Sequence, residues 1–543
     1  MWGLGDVTTS KGAPGPGGSE ASTPPHPRVD RLKANRLGLI DVVFMAVATS
    51  APITAMSGNV PVSVGFGVGT ATPATYIFAT IVLTIFAVGY VAMARHVTST
   101  GAFYGFISHG LGRVAGLGAG YMVTFCYSVF EAALIGIFSY FGNKVFHDQL
   151  GVDIPWPWFA FTCIAINAIL AYFDISLAAK VLAFFLITEI GILAIMAFAV
   201  LFGGGGPDGF MPDAVNPVNA FSANGLALAA PGLAMFIAFW SWTGFESTVM
   251  YGEESRNPRK IIPIATLIAV TGVGIFYIFV SWMTVVGNGR AGSIERAQST
   301  NPLDMFFHPT EVFAGHWAVL IFQWLMMTGS FACGLAFHNC ASRYGYALGR
   351  EGLLPRPLGR THRSHGSPFV ASFVQAGVAA LWIAGFWFFK KDPYLDIFVL
   401  LAVVGTFSLL IVQTITMAAV FNYFRQHHPG ENVWRVKVAP IVGGIGMLAV
   451  VVLMIQNLDT AAGSAAHTLL FRMIPYIAIT LFVTGAAVAL YLRRADPAKY
   501  QMIGRVVLAV DGTGPVYDQD GEGGSPRQPI RGDDDLMSPA ASS

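Results

Sequence analysis

Long apolar runs separated by short polar connections fill the chain from about residue 38 to residue 492. A helix needs about 17–25 apolar residues to cross a bilayer. Twelve runs meet or approach that length, near 38–58, 72–94, 115–142, 156–173, 177–203, 225–251, 262–287, 314–341, 368–389, 395–424, 438–457 and 469–492. The pattern predicts an all-α integral membrane protein with twelve transmembrane helices and no room for a soluble domain between them. The connection between the fifth and sixth runs has little more than twenty residues, and none exceeds 26.

Two runs are interrupted by polar and helix-breaking residues. The first reads "FMAVATSAPITAMSGN" over 44–59, with Thr49, Ser50, Pro52 and Thr54 near its middle. Proline lacks an N–H and its ring clashes with the preceding turn, which predicts a kink or a break there. A break leaves unpaired N–H groups at the start of the second half, and such groups attract anions. The sixth run contains "AFWSWTGFES" over 238–247. Gly244 weakens a helix by about 1 kcal/mol relative to alanine, and Ser241 and Thr243 compete for backbone bonds. Glu246 then falls in the first turn after the interruption, where a helix dipole favours negative charge, and Trp240 and Trp242 flank the break. Two broken spans five apart in order are the pattern of a transporter built from inverted repeats.

Composition supports the membrane assignment: 54% of residues are hydrophobic, 11% are charged, and the mean hydropathy is +0.60. Soluble proteins are about 25% charged. The net charge of +1 says little, but its distribution says more. With twelve spans, 25 Lys and Arg residues fall on the side of both tails and 6 on the other. The positive-inside rule then predicts that both termini are cytoplasmic, and the expected location is the plasma (inner) membrane. The tails, 1–36 and 494–543, are rich in Gly, Pro, Ser and polar residues and are expected to be largely disordered. No cleaved signal peptide is expected, because no short apolar segment with a cleavage site precedes the first run.

Three carboxylates lie at mid-span: Glu131, Glu189 and Glu246. No Lys or Arg lies at comparable depth. Intramembrane carboxylates mark cavities and ion or proton paths, or bond across to neighbouring helices. His338 and Asn339 are expected to make helix-to-helix hydrogen bonds. Cys126, Cys163, Cys333 and Cys340 sit in apolar runs without a CxxC pair, and "THRSH" (361–365) lies in a basic loop, so neither a disulfide framework nor a metal site is expected. No catalytic triad, cofactor site or nucleic-acid partner is expected either. "HGLGRVAGLGAG" is Gly-rich but no β-strand precedes it, as a nucleotide fold would require.

Four segments resemble the amino acid–polyamine–organocation permeases: "RHVTSTGAFYGFISHGLGRVAGLGAGY" (95–121), "SLAAKVLAFFLITEIGIL" (176–193), "FWSWTGFESTVMYGEESRNPRKIIPIA" (239–265) and "ASRYGYALGREGLLPRPLGRTH" (341–362). The resemblance covers about residues 36–493 and implies a LeuT-type fold. Repeat one would run from about 37 to 203 and repeat two from about 225 to 424, with two extra helices over about 438–492, in a single domain from 37 to 493. It also implies a substrate site between spans one and six. There a carboxylate would meet the N–H groups of Thr49, Ser50, Ala51, Pro52, Ile53 and Thr54, proline contributing position only. An amine would meet carbonyls freed around Trp240, Ser241, Trp242, Thr243 and Gly244. Trp240 would close over the substrate, and Glu246 falls where some members carry a gating acid. Two departures stand out. "SAPIT" replaces the usual Gly-x-Gly of the first break, and Glu189 stands where some proton-coupled members carry lysine.

These features predict a secondary transporter for an amino acid or related amine, a symporter coupled to protons with Glu189 as carrier. Should Glu131 and Glu246 face the cavity, charge balance would favour a polyamine or other organic cation, moved by a permease or an exchanger; should both be protonated or face other helices, a zwitterion would fit as well. The alternative of another class is a nutrient sensor on the same scaffold that binds without flux.

Overall fold

The computed structural model describes residues 31–222, 230–428, 430–457, 469–508 and 515–517. Most of the expected tail segments, residues 1–30, 509–514 and 518–543, lie outside them. The described residues are almost entirely helical. Among the described residues ten helical segments are long and apolar enough to cross a membrane. Two of the twelve expected spans take another form. The fourth, α6 (Trp156–Tyr172), is 17 residues long. The sixth begins in residues outside the described set and is broken into α8 (Pro231–Trp240) and a 3₁₀ segment, Phe245–Glu254.

The first span is likewise two helices, α1 (Leu39–Thr49) and α2 (Pro52–Val62). The hinge is Ala51, whose φ of +44° is left-handed, and Pro52 opens the second half at the first helical position, where a missing N–H forfeits no intrahelical bond. A left-handed non-glycine residue costs about 1–2 kcal/mol, so the surrounding packing must hold it. In the sixth span the left-handed position is Gly244, with φ +111°. A Cβ there would stand 2.5 Å from Cγ2 of Thr49, so glycine lets the two breaks touch.

Around them run α3 (Thr72–Ala94), α5 (Arg113–Leu150), α7 (Ile175–Phe202), α9 (Pro258–Asn288), α12 (His316–Arg350), α13 (Phe369–Phe388), α14 (Leu400–Gln426), α15 (Ala439–Gln456) and α16 (Ile474–Ala495). The shorter helices are α4 (Ala102–Gly110), α10 (Arg290–Ala297) and α11 (Asp304–Ala314). Helix α5 packs along α12, and α3 along α9. The outward faces are apolar: Phe184, Ile187, Ile195, Phe198 and Phe202 on α7, and Ile441, Ile445, Leu448, Val452 and Ile455 on α15, are exposed at helical spacing. Such continuous apolar stripes suit hydrocarbon rather than water. The protein is therefore a multi-pass membrane protein.

The end that carries most of the Lys and Arg is tied shut by backbone and charge. The N–H groups of Arg36 and Leu37 donate to the carbonyl of Glu254, and Arg256 N–H donates back to Leu37. Arg343 makes a two-pronged bond to Glu254 at 2.8 and 2.9 Å, and Arg350 makes one to Glu253 at 2.7 and 2.9 Å. Each guanidinium also lies 5.0 Å from a tyrosine ring, Tyr251 and Tyr346 respectively.

The expected disorder after Arg494 does not extend to residues 497–508. Helix α17 (Pro497–Met502) leads to a strand, β1 (Val506–Leu508), paired antiparallel with β2 (Pro515–Tyr517). Ile503, Val506 and Val507 are fully buried and Leu508 N–H donates to Thr98. Burial of these apolar side chains offsets the ordering cost that a polar tail could not meet.

Candidate substrate site

A cavity of about 50 Å³ lies at the two breaks. The first span contributes Thr49, Ser50, Ala51, Thr54, Ala55 and Asn59, and the sixth contributes Trp240 and Thr243. The opposite wall is apolar: Phe130 and Leu134 of α5, Cys333 and Phe337 of α12, and Phe398 and Ala402 at the start of the tenth span. Phe130 and Phe337 stack with centroids 4.8 Å apart. The two walls differ chemically because only broken helices present backbone polar groups at this depth.

Six of the residues expected from the sequence therefore line the cavity. Pro52 and Ile53 sit just behind it. The others do different work. Ser241 Oγ contacts the Tyr76 hydroxyl at 3.1 Å, accepts from Asn59 Nδ2 at 2.9 Å, and donates to Ile237. Trp242 is buried away from the cavity, its Nε1–H donating to the Val270 carbonyl and its ring packed between Tyr76 and Tyr277. Tyr277 in turn donates to the carbonyl of Ser50, which braces the end of α1. Gly244 supplies the close approach of the two breaks already described.

None of the three deep carboxylates is part of the cavity lining. Glu131 faces the seam between α5, α12 and α13. Its oxygens lie 2.8 Å from His338 Nδ1 and 2.8 Å from Gln375 Nε2, and the other ring nitrogen of His338 meets Ser372 at 2.8 Å. Glu246 turns back on its own half-helix: it accepts from Gly244 N–H at 3.1 Å and from the Tyr127 hydroxyl at 2.7 Å. Glu189 reaches the start of α2, where Ile53 N–H donates to it at 3.4 Å. A Cβ at Gly329 of α12 would stand 2.7 Å from its carboxyl carbon, so glycine there makes the space Glu189 occupies.

Sequence reasoning missed the apolar wall. Phe130 and Leu134, like Cys333 and Phe337, are spaced i, i+4 and share one helix face, but an apolar pair in an apolar span does not announce which side faces a cavity.

The sequence model of a family described as amino acid permease matches residues 37–483. The chain belongs to this family. Similar proteins include the low-affinity putrescine importer PlaP of Escherichia coli K12, 24% identical over 66% of this chain and 76% of that protein. The branched-chain amino acid permease BcaP of Bacillus subtilis is 22% identical over 64% of this chain and 73% of its own length. The gamma-aminobutyric acid permease of Escherichia coli is 26% identical over 58% and 66%. Family membership makes this permease a transporter rather than an enzyme.

Proposed function

We propose that this permease is a secondary active transporter that moves a small amino acid or amine across the plasma membrane by alternating access, coupled to protons. The observation that carries the reading is the junction of the two broken spans. Left-handed residues at Ala51 and Gly244 place two backbone interruptions in contact beside a cavity. Paired breaks of this kind, in the first and sixth of twelve spans, fit two five-helix inverted repeats followed by two further helices. In this arrangement both termini are cytoplasmic, consistent with the uneven spread of Lys and Arg. The bonded end at Glu253, Glu254, Arg343 and Arg350 is then the closed cytoplasmic gate. Trp240, which lines the cavity and stacks on Phe236, is the side chain that closes over the substrate.

Glu189 is the proposed proton carrier. It is buried, touches the second half of the first span, and lies against α12 at Gly329, so its charge state bears on how α2 sits. The relatives bear putrescine, branched-chain amino acids and gamma-aminobutyric acid in their names. All contain an amine, and that group is the shared element carried over to this chain. Uptake into proteoliposomes under an imposed pH gradient tests the coupling. Glu189→Gln should abolish acceleration by the gradient while leaving counterflow of substrate in place. Gradient-driven uptake at the wild-type rate in that variant would remove Glu189 from the role.

A further inference from the structure

The hydrogen-bonding inventory at the first break bears on which end of a substrate the site recognises, and it rests on the transport reading above. A substrate carboxylate needs donors. Ser50 N–H is already given to Ala46 and Val47, and Ala51 N–H to Ala48. Pro52 has none. Ile53 N–H points to the carboxylate of Glu189. Ala55 N–H bonds back to Ala51. That leaves Thr54, whose N–H meets no acceptor among the described residues. Among the described residues no Lys, Arg or His lines the cavity.

Acceptors are better placed. The Thr243 carbonyl, at the break of the sixth span, receives no hydrogen bond among the described residues. The Thr49 carbonyl receives only the weak thiol donor of Cys333, at 3.3 Å. An ammonium, with three donors and no acceptor, matches these carbonyls, whereas a carboxylate finds one free backbone N–H at the first break.

We infer that Glu189 is an internal surrogate for the substrate carboxylate: it fills the anion position at the start of α2 from within the protein, and the permease thereby selects small amines that lack an α-carboxylate. The position is built for that side chain. Gly329 clears the space for it, and Ile53 N–H and the positive end of α2 face it. The titratable side chains facing it are Tyr277 of α9 and Cys333 of α12. No cation pairs with it among the described residues. In its ionised state Glu189 presents a like charge to a second carboxylate brought to the adjacent Thr54 N–H, and an opposite charge to an ammonium, in a low-dielectric setting. The apolar wall of Phe130, Leu134 and Phe337 then takes the body of the amine.

Matched pairs that differ only by the carboxylate test this directly. Binding of isobutylamine against L-valine, isopentylamine against L-leucine and phenethylamine against L-phenylalanine is measured on the purified full-length protein by titration calorimetry. The same six compounds are followed in proteoliposome flux. In wild type each amine should bind at least ten-fold more tightly than its amino acid. In Glu189→Gln the ratio should fall below three-fold, because the internal anion is gone. Amino acids binding as tightly as, or more tightly than, their amines in wild type would overturn the inference while leaving transport intact. A ratio unchanged in Glu189→Gln would overturn the role of Glu189. Should that variant not fold, the wild-type ratios still decide. No binding and no flux for all six would instead bring down the transport reading and this inference together.

Discussion

Thr49 and Gly244 meet where two spans are broken, and that contact depends on a hydrogen atom. Gly244→Ala would force a side chain into a left-handed backbone position and drive its Cβ to 2.5 Å from Thr49 Cγ2. Together these should cost about 2 kcal/mol or more, seen as a lower Tm in detergent and reduced uptake. An unchanged Tm would mean the breaks are not in contact. Pro52 and Gly244 were legible in the sequence because proline and glycine act on their own backbone, whatever surrounds them. Glu131 was not. One residue separates it from Phe130, which is about 100° around a helix. That rotation puts the phenyl ring on the cavity and the carboxylate in the seam with His338 and Gln375. The sequence carries the depth of a side chain in the membrane but not the rotation of its helix.

At the scale of elements, the joined ends of the 3₁₀ segment and α12 are the most charge-dependent feature. Arg343 and Glu254 are both almost fully buried and bonded to each other. Removing one partner of such a pair costs about 3–5 kcal/mol, while replacing both with apolar groups of similar size is often neutral. Arg343→Ala should therefore lower the Tm more than the double replacement Arg343→Met with Glu254→Leu. A single change no costlier than the double would show that the pair does not hold these elements together. The motif "GEESRNPRK" marks this region in the sequence, yet the pairing of Glu254 with Arg343, 89 residues away, is a tertiary fact that local pattern does not contain. Ten of the twelve runs correspond, among the described residues, to helices long and apolar enough to cross a membrane. The pattern was least informative for the sixth run, where a break shortens each helical piece below a span.

For the whole molecule, the C-terminal segment closes over the basic end by way of Glu351. This carboxylate accepts from the Tyr104 hydroxyl and from the backbone N–H groups of Gly504 at 2.9 Å and Val506 at 3.4 Å. Burial pushes its pKa up to about 7, against the lowering effect of those bonds. A carboxyl raised above its unfolded value of 4.5 stabilises the fold fully at pH below that value and loses the contribution as pH rises through about 7. Hydrogen exchange at residues 503–508 should thus quicken between about pH 4.5 and 7 beyond the intrinsic pH effect, and Glu351→Gln should flatten the dependence. Protection independent of pH in the wild type would contradict this. Little of the docking was legible beforehand, because three apolar residues in a polar tail are a weak local signal and their partners lie over 150 residues away. The central claim, however, is movement of a small molecule through the cavity at the two breaks. Its most direct test is flux of a labelled small amine or amino acid into proteoliposomes containing the purified protein, with Trp240→Ala beside wild type. The account predicts saturable uptake well above that of protein-free vesicles, reduced at least ten-fold by the substitution. Ligand binding without any flux, under every imposed gradient, would contradict it and identify a receptor on a transporter's scaffold.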